Sequence, residues 1–375
     1  MRKTGTYLKL GNLNYFIPYP LPPSNPALNL DEKLTSLYGE ASFALGQLNE
    51  MCLRLPDPHR FIKAYVMKEA LLSSAIEGIH TTLLDVFAYS ADESKPNKET
   101  QLVLNYTKAI NAALKLMEEK NLPLISHVIL KAHEVLLSES NEYSKIPGNY
   151  RKQSVRVGEL VPPPAPEIPI LMENLEKYIN EPSNLPALIR TGLVHVQFET
   201  IHPFLDGNGR IGRLLIVLML INSDLLNLPI LYPSYYFKKH HFEYYHRLNC
   251  VRTKGDFEGW ITYYLKAIRD SSYDAYTRAK EIEKLEITLK NQIQHNPTFI
   301  KIRETTIHVL DYLFRYPITR TAKISKKLNK AYNTIDNILK RLVKLNLISE
   351  NIVNKRNKIY RFDSYLNILE KEYEV

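Results

Sequence analysis

Apolar residues recur at helical spacing along most of the first 295 residues, and this periodicity constrains the fold more than any other feature of the sequence. Between residues 31 and 54, apolar side chains stand three or four positions apart, which predicts a helix with one buried face. The same spacing predicts further helices at residues 58–79, 98–120, 124–138, 167–180, 185–200, 208–223, 239–254 and 256–295. A chain with many helical segments and few strand signals is predicted to be mainly α.

Strand signals in this region are confined to one short stretch. Residues 150–162 carry Val155, Val157 and Leu160 around Gly158, a pattern that predicts a short β-hairpin. Residues 1–30 contain prolines at positions 18, 20, 22, 23 and 26, and we expect them to be irregular because proline breaks regular structure. The expected architecture is therefore a helical body with one small hairpin.

The composition is typical of a globular protein from a reducing compartment. Hydrophobic residues make up 45% of the 375-residue chain. The longest apolar run, residues 214–221, is far shorter than the ~20 residues that a membrane span needs, and the first residues lack the apolar core of a signal peptide. The two cysteines, Cys52 and Cys250, lie far apart, which argues against a disulfide framework. We therefore expect a cytoplasmic protein with no membrane partner.

The last part of the chain has a different pattern. Three helical segments and then two strand-like runs follow one another at residues 303–314, 321–328, 330–345, 347–353 and 358–362. Three helices followed by a hairpin are typical of a winged helix-turn-helix. The fold class is thus predicted to be a helical core with a small hairpin plus a C-terminal winged-helix domain, residues 298–375.

The C-terminal unit also carries most of the positive charge. Residues 301–361 contain 15 Lys and Arg against 4 Asp and Glu, a net charge of +11, which leaves −2 for the remainder. Such a surface attracts polyanions, and in a winged helix the third helix enters the major groove of DNA. The residues that would face DNA are Lys330, Tyr332, Asn333, Thr334 and Asn337 on that helix and Lys355, Arg356 and Lys358 on the wing. DNA bound through residues 298–361 is one prediction; a protein partner, or packing on the neighbouring domain, is the alternative.

The stretch His202-Pro-Phe-Leu-Asp-Gly-Asn-Gly-Arg-Ile-Gly-Arg213 concentrates chemically active residue types. A glycine-rich turn that enters a helix directs free N–H groups and the helix dipole at one point, which makes an anion site. Arg210 and Arg213 stand three apart and can face the same way, so the site suits a polyphosphate. Asp206 is placed to hold Mg²⁺, with Mn²⁺ as a substitute, beside bound phosphates. His202 is the side chain that can take a proton at neutral pH.

Other readings of these residues fit less well. The pattern from Gly207 to Gly212 matches GxGxxG, but no parallel strand precedes it and no acidic residue follows about 20 positions later. The Walker pattern is excluded because residues 202–213 contain no Lys before a Ser or Thr. His195, His240 and His241 show no second ligand at a spacing that suits a metal, and we expect them at the surface or in the core.

The twelve residues resemble the signature of the Fic family, HPFx[D/E]GNGRxxR, at every defined position. The resemblance implies transfer of AMP from ATP to a Tyr, Ser or Thr hydroxyl of a target protein, and of the chain itself. It implies that His202 is the general base and that Asp206 holds the magnesium ion. It also implies that the nucleotide is bound by Gly207, Asn208, Gly209, Arg210, Ile211, Gly212 and Arg213.

A second stretch resembles the family's inhibitory motif, [S/T]xxxE[G/N]. It comprises Ser73, Glu77 and Gly78, near the end of the second predicted helix. The resemblance implies that Glu77 pairs with Arg213, so that ATP binds in an unproductive pose, and that Ser73 braces Glu77. The N-terminal helical region, residues 1–97, would then carry the inhibitory motif, and residues 98–295 would form the catalytic core.

Further implications of the resemblance concern the partners. The hairpin at residues 150–162 would be the flap on which the target docks, and Tyr245 would lie near the nucleoside. Three questions remain open: whether the site removes AMP instead, whether the core is the nucleotide sensor of a DNA-binding regulator, and whether the chain forms a homodimer.

Overall fold

The computed structural model describes residues 2–54, 58–92, 96–119, 122–138, 146–351 and 358–371. Helices dominate these residues, in agreement with the predicted fold class. In chain order they are α1 (Glu32–Arg54), α2 (Pro58–Ile76), α3 (Leu83–Asp92), α4 (Lys98–Glu119), α5 (Ser126–Leu136), α6 (Ile168–Asn180), α7 (Ala187–Ile201), α8 (Asn208–Asn222), α9 (Ser234–Lys239), α10 (His241–Lys254), α11 (Phe257–His295), α12 (Arg303–Arg315), α13 (Thr321–Leu328), α14 (Tyr332–Lys344) and α15 (Asp363–Glu370). Helices α3, α9 and α15 were not predicted, because their apolar stretches are short and lie beside longer helices.

Helices α7 and α8 form the centre of the molecule. Nearly every side chain on them is buried, including polar side chains of α7 such as His195 and Glu199. They pack against each other, and α8 is further surrounded by α2, α4 and α5. The long helix α11 packs against α1, α7, α9 and α10. The turn between α7 and α8, residues 202–207, is thereby held by buried helices on both sides.

An antiparallel hairpin near the N-terminus corrects the expectation that residues 1–30 are irregular. Strand β1 (Gly5–Leu10) pairs with β2 (Leu13–Pro18) over six registered residues. The prolines suggested irregular structure, but only Pro18 lies within the hairpin, at its last position. The backbone N–H of Phe16 in β2 donates to the carbonyl of Val161 at 2.9 Å. The hairpin therefore packs beside the segment in which the sequence predicted one.

Residues 150–162 do not form the predicted two-stranded hairpin. They contain a tight turn in which Val157 and Leu160 make a single bridge around Gly158. Backbone pairing is diverted to other parts of the chain, since Val161 bonds to β2 and the N–H of Arg151 donates to the carbonyl of Pro203 at 2.9 Å. The segment nonetheless lies beside the turn between α7 and α8.

The C-terminal elements follow the predicted order. Helix α12 leads through β3 (Ile318–Thr319) to α13 and α14, and then come β4 (Ser349–Asn351), β5 (Ile359–Arg361) and α15. The three strands form an antiparallel sheet in the order β3-β5-β4. Lys355 and Arg356, assigned from the sequence to the wing, lie outside the described residues.

Helix α2 contacts the C-terminal elements as well as the core. Lys68 donates to the carbonyl of Leu369 in α15 at 3.2 Å, and the ammonium of Lys63 lies 3.7 Å from the ring centroid of Tyr316. Arg278 of α11 donates to the carbonyls of Ile368 and Lys371. The helix is thus held between α8 on one side and α12 and α15 on another.

Candidate active site

The turn between α7 and α8 is closed by the side chain of Asn208. Its Oδ1 accepts from the N–H of Phe204 at 2.9 Å, and its Nδ2 donates to the carbonyl of Phe204 at 2.8 Å. His202 and Gly207, at the two ends of the turn, adopt left-handed backbone conformations with φ of 49° and 80°. Glycine reaches that conformation at little cost. Asn208 is therefore required for the shape of the loop.

His133 of α5 packs against the loop, and no pattern in the sequence indicated this contact. Its ring stacks on Phe204 with centroids 3.7 Å apart. Nδ1 accepts from the N–H of Gly148 at 3.0 Å, so Nε2 carries the proton and donates to the carbonyl of Asp206 at 3.0 Å. Burial lowers the pKa of His133 to about 4, so the ring stays neutral and keeps both hydrogen bonds near neutral pH.

Arg151 ties the segment at residues 150–162 to the same loop. Nε donates to the carbonyl of His202 at 2.8 Å, and Nη2 donates to the carbonyl of Pro163 at 2.6 Å. The side chain is 2% exposed. Its role could not be found from the sequence, because it depends on carbonyl groups that only the fold brings together.

The first turn of α8 has the properties of an anion site. Among the described residues, no side chain caps it apart from Asp206, whose Oδ1 accepts from the N–H of Gly207 at 2.6 Å. Arg210 is 3% exposed and approaches Asp206 only at 3.5 Å. Its Nε and Nη1 are buried without a hydrogen-bond partner in the part of the chain described. Buried donors on a cation are costly to leave unpaired, so the site is built to receive acceptor atoms.

Arg213, one turn further along α8, is fully engaged with the end of α2. Nε donates to Oγ of Ser73 at 2.9 Å, and Nη2 donates to the carbonyl of Ser73 at 3.0 Å and to Oε1 of Glu77 at 2.7 Å. Burial lowers the pKa of Arg213, but Glu77, Tyr244 and Glu199 together outweigh it and raise the pKa above its ordinary value. Arg213 therefore contacts Glu77, as predicted, whereas Ser73 bonds to Arg213 and does not brace Glu77 as the sequence analysis expected.

The carboxylate of Glu77 also covers the first turn of α8. A Cβ atom added to Gly209 would overlap Oε1 of Glu77, so the two are in close contact. Gly78, with φ of 77°, turns the chain away directly after Glu77. The side chain of Glu77 is 34% exposed. It therefore stands at the mouth of the anion site, with its charge directed at Arg213.

Glu199 of α7 is a buried acid in the site that the sequence analysis missed. It is 6% exposed, and Oε2 lies 4.0 Å from Nδ1 of His202. Burial raises the pKa of Glu199 to about 7, with Glu77 acting in the same direction and Arg213 and Arg252 opposing. A Cβ added to Gly212 would overlap Oε1 of Glu199. Gly212 therefore leaves room for Glu199.

His202 is half-buried, with 18% of its side chain exposed, and is held in its neutral form. Burial, together with the guanidinium groups of Arg252 and Arg151, lowers the pKa of His202 to about 4. Nδ1 faces the backbone and side chain of Glu199 but makes no hydrogen bond of standard geometry with the described residues. A neutral imidazole is the form that can accept a proton.

Two other residues named in the sequence analysis lie in different environments: Tyr245 is exposed and His195 is buried in the core. Tyr245 is 40% exposed on α10, and burial followed by Glu77 raises its pKa to about 12. His195 lies in the core, where Nδ1 donates to the carbonyl of Gly212 at 2.9 Å and Nε2 accepts from Tyr244 at 2.8 Å. His195 thus supports α8. No group of three or more His, Cys, Asp or Glu in the described part of the chain could hold a metal ion.

Two family models match this chain. Residues 35–115 match the Fic/DOC family N-terminal model, and residues 123–220 match the Fic/DOC family model. The second match contains α7, the loop and α8. Residues 35–115 are therefore similar to the N-terminal region of Fic/DOC proteins, and residues 123–220, which contain the loop, are similar to their Fic domain.

Curated relatives are named as protein adenylyltransferases. The chain is 29% identical over 241 residues to a protein adenylyltransferase Fic from Drosophila virilis, covering 63% of this chain and 46% of that protein. It is 26% identical over 169 residues to a probable protein adenylyltransferase from Aquifex aeolicus, covering 44% of this chain and 51% of that protein. The chain spans about half the length of the curated relatives it matches.

Solved structures share the fold. A Fic family protein from Desulfovibrio desulfuricans superimposes with a TM-score of 0.57 at 22% identity, covering 92% of this chain and 99% of that one. Fic-1 from C. elegans gives a TM-score of 0.53 at 18% identity, covering 67% and 74%. No helix among the described residues is long and apolar enough to cross a membrane.

Proposed function

We propose that this chain transfers AMP from ATP to a hydroxyl group of a protein. The observation that carries the proposal is the buried guanidinium of Arg210 beside the first turn of α8, whose Nε and Nη1 have no hydrogen-bond partner among the described residues, with the neutral His202 at the start of the same loop. The first feature suits a polyphosphate, and the second suits proton abstraction from a hydroxyl. The relatives named protein adenylyltransferase support this choice of nucleotide and reaction.

In this reaction the oxygen of the target hydroxyl attacks the α-phosphorus, and the bond to the leaving pyrophosphate breaks in line. Nε2 of His202 takes the proton from the hydroxyl. Gly207, Asn208 and Gly209 present the first turn of α8 to the phosphates, Arg210 donates to them, and Arg213 meets the terminal phosphate. Positioning and charge neutralisation provide most of the acceleration.

A magnesium ion fits this arrangement. The carboxylate of Asp206 is 35% exposed and lies at the N-terminus of α8, beside Arg210. Mg²⁺ in phosphate sites is commonly held by one or two carboxylates, phosphate oxygens and water, so a single aspartate suffices. The ion would neutralise charge on the phosphates when bound.

In the same proposal, Glu77 keeps the enzyme inactive. Its carboxylate occupies Arg213 and covers the turn at Gly209, so the terminal phosphate and Glu77 compete for one guanidinium. Ser73 keeps Arg213 in place by two further hydrogen bonds. Breaking a buried ion pair leaves an uncompensated charge, which makes the closed state stable until α2 or Glu77 moves.

Mass spectrometry of the purified full-length protein incubated with Mg²⁺ and ATP tests both claims. Glu77→Gly should acquire the mass of one AMP group much faster than the unaltered chain, and Glu77→Gly with His202→Ala should acquire none while still binding ATP. Absence of the adduct in Glu77→Gly would refute the transfer. Loss of a pre-formed AMP adduct on adding the unaltered chain would instead favour AMP removal, with Glu77 orienting a water molecule.

We propose further that the C-terminal elements form a winged helix that binds DNA. Helix α14 buries Ile335, Ile338, Leu339 and Leu342 and leaves Tyr332, Asn333, Asn337 and Lys340 exposed. Polar side chains along an outward helix face can contact bases and phosphates. Filter binding of duplex DNA at two salt concentrations tests this, since phosphate contacts make affinity fall with salt. DNA binding without any AMP transfer would favour a nucleotide-sensing regulator.

The turn at residues 150–162 is the proposed docking place for the target segment. It lies beside the loop that carries His202, because Arg151 bonds to that loop, and its outer residues Lys152, Arg156 and Glu159 are exposed or half-buried. Tyr245 is proposed to contact the nucleoside, since it lies at the exposed edge of the site near Glu77 and Arg213.

A further inference from the structure

Nδ1 of His202 and Oε2 of Glu199 face each other behind the loop at a distance of 4.0 Å, and their side chains are 18% and 8% exposed. Among the described residues, Nδ1 has no hydrogen-bond partner. Oε1 of Glu199 is also buried without a hydrogen bond to any described residue. Burying a carboxyl oxygen without a hydrogen bond costs folding free energy. The position of Glu199 next to the proposed base suggests a catalytic reason for its presence.

The surroundings of His202 disfavour its protonated form. The backbone carbonyl of Glu199 already accepts from Arg252 at 3.0 Å, and the guanidinium groups of Arg252 and Arg151 repel a second positive charge. A general base must nevertheless become positive when it takes the proton of the hydroxyl. An anion close to Nδ1 is therefore needed to stabilise the imidazolium.

Glu199 is the acid that remains available for this task. Glu77 also favours the protonated form of His202, but in the proposed mechanism Glu77 has to leave the site before ATP can bind productively. Glu199 is fixed on α7 three residues before His202 and is enclosed by Gly212, so it cannot leave. The charged and titratable groups that face it are Arg213 on α8, Arg252, Tyr244 and Tyr245 on α10, Glu77 beyond α2, and His202 itself.

We infer that Glu199 is a positioning residue whose carboxylate keeps the proton of neutral His202 on Nδ1 and stabilises the imidazolium during transfer. This inference rests on the proposed function, because it assigns Nε2 of His202 as the base. The active form has Glu199 ionised and His202 neutral. The proton from the hydroxyl moves to Nε2, the oxygen bonds to the α-phosphorus, and pyrophosphate departs with the electron pair of the broken bond.

Steady-state kinetics in the full-length Glu77→Gly background test the inference. Adding Glu199→Gln, which preserves size, should lower kcat on the order of 10²-fold with little change in KM for ATP, whereas Glu199→Asp should retain more of the rate. Glu258→Gln, which alters a carboxylate paired with Arg2 far from the loop, is the matched control. Equal rates with Gln and Glu at position 199, or equal losses with Gln and Asp, would overturn the inference.

A second measurement separates this inference from the proposed function. Nitrogen-15 spectra of histidine-labelled protein, with His202 assigned by His202→Ala, report which ring nitrogen carries the proton. At alkaline pH the proton should be on Nδ1 and its population there should fall in Glu199→Gln, even if no AMP is ever transferred. An unchanged tautomer would refute the role of Glu199, whereas absence of transfer in Glu77→Gly alone would refute the proposed function.

Discussion

Nη2 of Arg213 donates a 2.7 Å hydrogen bond to Oε1 of Glu77, although 136 residues separate the two in the chain. The arginine is 1% exposed and the carboxylate is 34% exposed. One partner is therefore fixed in the core, while the other sits at the surface of the site and can move away. An incoming phosphate could therefore approach from the side of Glu77 and displace its carboxylate from Arg213.

Ser73→Ala should release part of the inhibition. The change removes the Oγ that accepts from Nε of Arg213 and leaves the backbone carbonyl in place. An unsatisfied donor on a buried charge costs about 1–3 kcal/mol, so self-modification by ATP should rise about 10-fold, less than in Glu77→Gly. Ser74→Ala is the control, because Oγ of Ser74 is buried without a partner among the described residues. Equal effects of the two changes in a radiolabelled-ATP assay would exclude a specific role for Ser73.

Asn208→Ala should destabilise the whole protein as well as the site. Two hydrogen bonds to the buried backbone of Phe204 are lost together, and each unpaired group costs about 1–3 kcal/mol. Urea unfolding should show a lower midpoint, and ATP binding should weaken. Asn249→Ala, on the exposed side of α10, should leave both nearly unchanged. Full stability in Asn208→Ala would mean that the loop is held by other contacts.

Glu199→Gln should change how stability depends on pH. Burial raises the pKa of Glu199 from 4.5 to about 7, so the folded state keeps a proton that the unfolded state has lost between these values. The free energy of unfolding therefore falls as pH rises through this window. Relative to Glu199→Gln, the unaltered chain should lose on the order of 3 kcal/mol between pH 4 and pH 8. Parallel stability curves for the two proteins would show that Glu199 is not a buried titrating group.

Lys68→Met should loosen the contact between α2 and α15. The ammonium of Lys68 donates to the carbonyl of Leu369 and lies 3.9 Å from Asp274, whereas methionine fills a similar volume without the bond. Helix α2 should become freer to move, and self-modification should rise, though less than in Glu77→Gly. Lys33→Met, at an exposed position on α1, is the control. Unchanged transfer at unchanged melting temperature would show that α15 does not influence Glu77.

Local patterns in the sequence were enough to place α7, α8 and the loop between them, because the loop glycines and the apolar helix are consecutive residues. They did not reveal His133, Arg151 or Glu199, whose functions depend on atoms that only the fold brings together. The β1–β2 hairpin was missed because the prolines that follow it dominated the local signal. The hairpin predicted at residues 150–162 is not formed, because backbone groups near its two ends bond to Phe16 and Pro203 and not to each other.

Glu77 and the terminal phosphate compete for Arg213 in this mechanism. The degree of inhibition therefore depends on the fraction of molecules in which Glu77 occupies Arg213. Because Glu77 belongs to the same chain, its effective concentration at Arg213 is constant, whereas the concentration of free nucleotide varies. The apparent dissociation constant for productively bound ATP equals the intrinsic constant divided by the fraction of molecules in which Glu77 has left. Any ligand that binds the chain more tightly with α2 displaced would raise that fraction, and would tighten productive nucleotide binding by the same factor.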